Sequence, residues 1–518
     1  MKYIFLLFSI VTIFSASAQT MKFTAPIGDS TIYLARYFGS KLYYADTTKA
    51  IGGKFAFNGA KHKAGMYAIL LPGPKSFDFI YDNEEIEIIL KDTNKLVENL
   101  EVKKSINNKL FFDYLRYMNA KKAESMVISG NMKKPETTPE MNTKYRADLN
   151  KINDEVVAYQ KNIIATNPTK FVAVLIKMTM DVPLPDYPRD EKGAITDSNY
   201  VYHYYVNHYW DNVDLKDPRI VNTPIFHTKL DKFFSKKGIL QIPDTINYYA
   251  TKLINQTDMK DQENKVFQYI VHHVTNKYET SPIMGLDAVF CYMANTYYCP
   301  PNNLAYWMTP ENTEKVCERA EKVCRVMIGG NSVPIILPDS TEKKWYNTYD
   351  IKADYTVLYF WDPNCGHCKK VTPKLQVLYD KKFKERNIEI YAIGKGTGTE
   401  FAEWKNFIRK NNLTFINVAL TDSIYKLATN PDQIGLTELL RKYTNIQSLN
   451  YADTWDIYST PRIFILDKEK RIIYKQISIG QLEEILDKLT GHADDVKLFP
   501  LTDPENGDNP DEDDHDSH

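Results

Sequence analysis

The sequence predicts a multidomain protein with an N-terminal β-sandwich, an α-helical middle domain and a C-terminal α/β domain. Three changes of pattern carry this reading. Apolar residues alternate at period two from residue 19 to about 110, recur by threes and fours from 111 to 325, and then form short apolar strands interleaved with helices to residue 490. At 518 residues the chain exceeds what one hydrophobic core accommodates, and the usual scaling gives roughly two to four domains.

Residues 1–18, MKYIFLLFSIVTIFSASA, carry one positive charge at Lys2, an apolar run from Tyr3 to Phe14 and Ala16-Ser17-Ala18 as a small-x-small cleavage site. This is the pattern of a secretory signal peptide. The run is shorter than the ~20 residues a membrane-spanning helix needs, and no later stretch is apolar for long enough to span. No cysteine follows the site, which argues against a lipid-anchored mature end. The mature chain is expected to be soluble outside the cytoplasm. A formal net charge of −1 leaves no electrostatic case for a nucleic-acid partner.

In the first domain, residues 19–110, the alternation runs through Ile32 and Leu34, Phe55 and Phe57, Phe77, Phe79 and Tyr81, and Ile86, Ile88 and Leu90, with Gly- or Pro-containing turns between. No catalytic constellation stands out there, so a structural or docking module is expected. The second domain, residues 111–325, shows helical spacing at Leu149, Ile152, Val156, Tyr159 and Ile163. Its aromatic stretch NYVYHYYVNHYWDN, with His203 and His208, reads as packing rather than a ligand platform. The adjacent His272 and His273 point about 100° apart on a helix and lack a spaced third ligand, so no metal site is expected.

Four cysteines flank the CPPNN break and are nearly symmetric about residue 308. In an antiparallel helical hairpin Cys299 would face Cys317 and Cys291 would face Cys324. Cys317 and Cys324 on one helix would lie about 10 Å apart, beyond disulfide reach. Export favours such nested disulfides, the alternative being buried free thiols.

The last domain, residues 326–495, alternates YTVLYFW, a cysteine-led helix, IEIYAIG, the helix EFAEWKNFIRKN, LTFINVAL, then RIFILD, KRIIYKQIS and the helix QLEEILDKL. The acidic remainder, residues 496–518, ends in DPENGDNPDEDDHDSH and is expected to be disordered.

The chemistry concentrates in FWDPNCGHCKK. A strand followed by C-x-x-C and a helix puts Cys365 at the exposed start of that helix, where unpaired N–H groups and the macrodipole favour a thiolate. Cys368, one turn inside, is shielded yet close enough to attack a mixed disulfide at Cys365. The intervening His367 can stabilise the thiolate and so make the couple more oxidising. Zinc would need two further ligands at recognisable spacing, and none follows. Trp361 is expected to pack beneath the site.

Taken with these residues, the segment 333–490 resembles the thioredoxin superfamily, specifically extracytoplasmic thioredoxin-like thiol-disulfide oxidoreductases of Gram-negative bacteria. The resemblance rests on YFW before the pair, CGHC itself, Pro373 where the family helix kinks, and STPRIFILD, in which Thr460-Pro461 matches the cis-proline loop. It implies that the backbone at Thr460 and Pro461 pairs with the substrate chain. It also implies a β domain and a helical domain of unknown function upstream. Two departures are plain: Tyr359 stands where thioredoxins bury an aspartate, and Asn364 replaces the tryptophan usual before the first cysteine.

The sequence therefore predicts an exported, periplasmic thiol-disulfide oxidoreductase. Cys365 is its nucleophile, Cys368 its resolving thiol, His367 the tuner of the couple, and Thr460 and Pro461 the substrate platform. No cofactor is required. The expected partners are protein thiol or disulfide clients and a membrane redox protein that resets the pair. A rival reading makes the protein an envelope adaptor with the C-terminal module as a scaffold.

Overall fold

The structure is a computed structural model that describes residues 19–430, 434–503 and 506. The signal peptide expected at 1–18 and the acidic stretch from 507 lie outside the described residues. Those up to Gln241, with Tyr249–Ile270, form one compact unit; Ile242–Tyr248 and the residues from Val271 onward form a second.

The first unit opens with β1 (Thr20–Thr24), β2 (Ser30–Phe38), β3 (Lys41–Ala50), β4 (Lys54–Asn58), β5 (Gly65–Leu71), β6 (Lys75–Tyr81), β7 (Ile86–Leu90) and β8 (Leu100–Lys104). They make two four-stranded sheets, ordered β4-β1-β7-β8 and β3-β2-β5-β6. Period-two alternation gives each strand one apolar side, and Phe23 of β1 meets Phe77 and Phe79 of β6 across the sheets at 6.2 and 5.2 Å between ring centroids. The alternating residues named above, from Ile32 to Leu90, are all buried.

Three helices follow, Ile106–Met132, Pro139–Thr166 and Phe171–Thr179. The buried Asn108 fastens the first of them to β6: its Oδ1 accepts the Ile80 N–H at 2.8 Å and its Nδ2 donates to the Ile80 carbonyl at 2.7 Å. A row of unpaired backbone groups on an edge strand is thereby partly satisfied by a side chain. In the aromatic stretch Trp210 packs on Phe226 and Phe233, and His208 pairs with Asp211 at 2.7 Å.

The second unit contains a short hairpin, β9 (Ile336–Pro338) and β10 (Trp345–Asn347), and the strands β11 (Tyr355–Trp361), β12 (Ile388–Gly396), β13 (Ile416–Thr421), β14 (Arg462–Leu466) and β15 (Ile472–Lys475). These five form one sheet ordered β13-β12-β11-β14-β15, with β11, β12 and β13 parallel and β14 and β15 antiparallel. Because side chains alternate along a strand, β11 feeds two cores. Val357, Tyr359 and Trp361 meet the helices Gly366–Leu378 and Ile479–Leu489, while Leu358 and Phe360 meet Trp455 and Leu337 on the other face. Four short helices lie between β13 and β14, at Asp422–Ala428, Ile434–Lys442, Ile446–Leu449 and Tyr451–Thr454; the sequence reading left this stretch unassigned.

Packing divides the chain earlier than the boundary expected at 326. Residues 271–325 belong with the sheet, and their charges explain why. Lys475, only 3% exposed, is held by the Asp287 carboxylate and the Val326 carbonyl, while Arg319 pairs with Asp456 and Lys322 with Asp453. The helix Asp287–Met293 carries Cys291 and the helix Pro310–Arg325 carries Cys317 and Cys324, while Cys299 caps the helical turn Ala294–Tyr298; Cys291 pairs with Cys324 and Cys299 with Cys317 at Cα separations of 5.7 and 5.6 Å.

The segment expected to be disordered from 496 also differs. Glu483, fully buried, accepts the N–H groups of Leu498 and Phe499 at 2.7 Å each. Lys382 reaches Glu483, Asp487 at 2.9 Å and the Val496 carbonyl at 3.1 Å, and Lys497 and Arg386 also reach Asp487. Buried carboxylates need donors, and this segment supplies two of Glu483's from its backbone. Burial alone would raise the Asp487 carboxyl, but hydrogen bonds from Lys382, Lys497 and Arg386 hold it below the usual carboxylate range. Its stabilising contribution is therefore complete above a pH of about 4 and is lost as pH falls through the lowered folded value. Lys382→Ala should destabilise this unit by about 3 kcal/mol at neutral pH. Urea unfolding followed by tryptophan fluorescence would show this, with the loss shrinking as the pH is lowered below about 4.

Candidate functional site

Strand β11 is buried along nearly its whole length and ends at Trp361, which packs on Tyr359 and Phe407 below the site. The chain then turns: the Asp362 carboxylate accepts the Asn364 N–H at 2.7 Å, and the Asp362 carbonyl accepts the Cys365 N–H at 3.2 Å. The helix Gly366–Leu378 starts at once, with Cys365 as its N-cap in extended backbone and no side chain capping it. The Cys365 sulfur therefore lies among first-turn N–H groups that have no intrahelical acceptor. Pro373 sits inside this helix and removes the N–H that would serve the carbonyl one turn earlier.

The two sulfurs have opposite surroundings, and both are unpaired thiols. Cys365 is half-buried, and its Sγ donates to the Thr460 carbonyl at 3.2 Å. Cys368 is 0% exposed, and its Sγ accepts the Asp362 N–H at 3.5 Å. Burial pushes the Cys368 thiol up to about 12, the neighbouring Cys365 adding to the effect and the Asp362 N–H opposing it. The peptide between Thr460 and Pro461 is cis, and the loop it forms brings the Thr460 carbonyl onto the outer sulfur.

His367 is exposed on the first helical turn, apart from the buried thiol. Around the rim, Asp362 pairs with Lys395 at 3.4 Å and Lys395 with Glu400 at 2.9 Å, while Asn364 donates to Glu403. Beyond Thr460 a cavity of about 430 Å³ opens, walled by Phe360, Leu420, Tyr425, Tyr451 and Tyr458. The helices between β13 and β14 supply part of that wall; their N-caps at Thr421 and Asn445 were the sequence signal for them.

Beneath the pair lies Tyr359, fully buried. Its hydroxyl contacts Thr372 Oγ1 at 2.7 Å, and Thr372 Oγ1 donates to the Cys368 carbonyl at 2.7 Å. Burial, reinforced by Cys368, holds the phenol well above its ordinary value, so it is protonated at any physiological pH. Cys291, Cys299, Cys317 and Cys324 are brought together as the hairpin disulfides described above and not at this site.

A nucleophilic sulfur near solvent and a second, protonated sulfur behind it can carry out two successive exchanges with an external disulfide. Comparison with known proteins bears on that chemistry. A family model described as thioredoxin-like matches residues 353–472, and two models described as domains of unknown function match residues 20–111 and 139–325. Thiol-disulfide oxidoreductase ResA of Bacillus cereus is 29% identical over 164 residues, which cover 31% of this chain and 78% of the relative; the same-named protein of Bacillus thuringiensis subsp. konkukian is 28% identical over the same length. Among solved structures, a domain of a possible thiol-disulfide isomerase from Cytophaga hutchinsonii is 31% identical, covering 32% of this chain and 94% of that chain, with a TM-score of 0.25.

The contrast in burial predicts a contrast in reactivity. With the pair reduced, iodoacetamide at neutral pH should label Cys365 and leave Cys368 unlabelled over the same time, as read by peptide mass mapping.

Proposed function

Because this chain belongs to the thioredoxin superfamily as a thiol-disulfide oxidoreductase with extra domains, we propose that it exchanges disulfides with protein clients outside the cytoplasm through Cys365 and Cys368. One observation carries the reading: a solvent-reachable sulfur held at 3.2 Å from the Thr460 carbonyl, with a fully buried thiol one helical turn behind it. Cys365 attacks the client disulfide and forms a mixed disulfide; Cys368 then attacks Cys365 and releases the client as a thiol. The reverse sequence oxidises a client dithiol. In both directions an extended client strand lies along Thr460 and Pro461. The exposed His367, two residues on from Cys365, tunes the couple.

The signal-peptide pattern of residues 1–18 supports export, in a cell whose envelope keeps disulfides oxidised. A membrane redox protein then restores the pair after each cycle. The upstream domains select or orient the client.

Insulin reduction tests this directly. Mature protein should accelerate precipitation of the insulin B chain in dithiothreitol, and Cys365→Ser should return the rate to background; equal rates for the two proteins would leave only a scaffold. Direction follows from the reduction potential in glutathione buffers. A value above about −200 mV makes the protein an oxidant or isomerase and one below about −250 mV a reductant.

A further inference from the structure

The residue that follows the cis peptide is a buried arginine to which the exchange scheme gives no part. We propose that Arg462 is the positioning residue for the substrate platform: its guanidinium grips the loop 456–461 and so fixes where the Thr460 carbonyl stands against Cys365. This rests on the exchange reading above.

The loop is anchored at its ends and loose in its middle. It starts with Asp456 paired to Arg319 and with the Ile457 N–H donating to the Ala452 carbonyl at 2.7 Å. It ends where Arg462 opens β14 and pairs with Phe360 of β11, the strand that runs into Cys365. Between these anchors, among the described residues, the main-chain groups of Tyr458, Ser459 and Thr460 make no hydrogen bond with other main chain. A segment without backbone bonds keeps one position only if side chains hold it. Thr460 nonetheless has its carbonyl set at 3.2 Å from the Cys365 sulfur.

The side chain that reaches this stretch is that of Arg462. Its Nη2 donates to Ser459 Oγ at 2.8 Å, and its guanidinium carbon lies 4.8 Å from the centre of the Tyr458 ring. Ser459 and Tyr458 are the two residues before Thr460, so the grip falls next to the platform. Arg462 is 3% exposed and Tyr458 68%, so the ring closes the cation off from water on that side. Both contacts strengthen when water is kept out. The burial is tolerable because anions stay near: Glu279, Asp287 and Asp456 line the same cavity of about 260 Å³ as Arg462.

The shape of the group matters as well as its charge. A planar guanidinium can donate in its plane to Ser459 while its face meets Tyr458, whereas the ammonium of lysine is a point charge with no face to stack. A client chain must dock its backbone on Thr460 and bring its sulfur to Cys365 in one pose, so a loop that shifts misaligns the two. A misplacement of about 1 Å can cost a reaction about 10²-fold. A small disulfide with no backbone to dock does not depend on the platform. Arg462 itself takes no part in the bond changes.

The test gives selectively reduced mature protein two oxidants: insulin, whose disulfides sit in peptide chains, and 5,5′-dithiobis(2-nitrobenzoate), an aryl disulfide without a backbone. The readout is the ratio of the two second-order rate constants, insulin over aryl disulfide, the first from thiol trapping and the second from the first thionitrobenzoate released. In Arg462→Lys, which keeps the charge, the ratio should fall about tenfold. In Ser459→Ala it should fall about threefold. The double variant should lie within about twofold of Arg462→Lys, because both substitutions break the same bond. An Arg462→Lys ratio equal to wild type overturns the proposal, whether both rates are kept, so that charge alone suffices, or both fall together, the mark of a general structural defect. A double variant lower still by the whole Ser459→Ala factor also overturns it. Should Arg462→Lys fail to fold, Ser459→Ala decides alone, and an unchanged ratio there refutes the proposal. If wild-type protein does not reduce insulin, the exchange reading falls along with this one; if it does and the variants keep its ratio, only this one falls.

Discussion

A helix that begins where a buried strand ends forces two cysteines three residues apart into unlike environments. One stands at the cap, among unpaired N–H groups at the surface; the other is carried a full turn into the core. The rest of the domain depends on this. Strand β11 must be buried to set the depth, Trp361 must fill the space below the turn, and the Thr460 loop must reach across to the outer sulfur. A thiol near solvent and a thiol in the core are thereby given different reactivities.

The same unit shows how charge can be buried in support of that geometry. Lys475 under the disulfide hairpin and Lys382 under the C-terminal segment each meet carboxylates, that of the partly exposed Asp287 and those of the fully buried Glu483 and Asp487. Both are hydrogen-bonded to backbone carbonyls as well, at Val326 and Val496. Such clusters contribute little over an apolar core of equal volume, but losing one member leaves an unpaired charge inside. They fix which segments must be present more firmly than they add to stability.

Much of this was legible from residue order alone. Period-two alternation located β2, β4, β6 and β7 because each has one buried face, and the strand before the C-x-x-C spacing placed Cys365 at the start of a helix and Cys368 inside it, as the structure has them. What escaped the reading was long-range. The helices between Asp422 and Thr454 are short, so 3.6-residue periodicity had too few turns to register. Glu483 lies in an obvious amphipathic helix, and nothing local says that its carboxylate caps backbone N–H groups 15 and 16 residues onward. Tyr359 was visible only as a departure from a family pattern; its bond to Thr372, 13 residues away, needed the folded strand and helix side by side.

The fastening of Leu498 and Phe499 to Glu483, together with that of Asp287 to Lys475, bears on how this protein can be cut. A fragment drawn to the limits of the sheet would strip a carboxylate of its donors at one end and an ammonium of its counter-ion at the other. Both are interior groups that solvent reaches only by opening the fold. The piece able to stand alone is thus wider than the sheet, starting before the disulfide hairpin and continuing through Asn506, whose side chain holds Lys374.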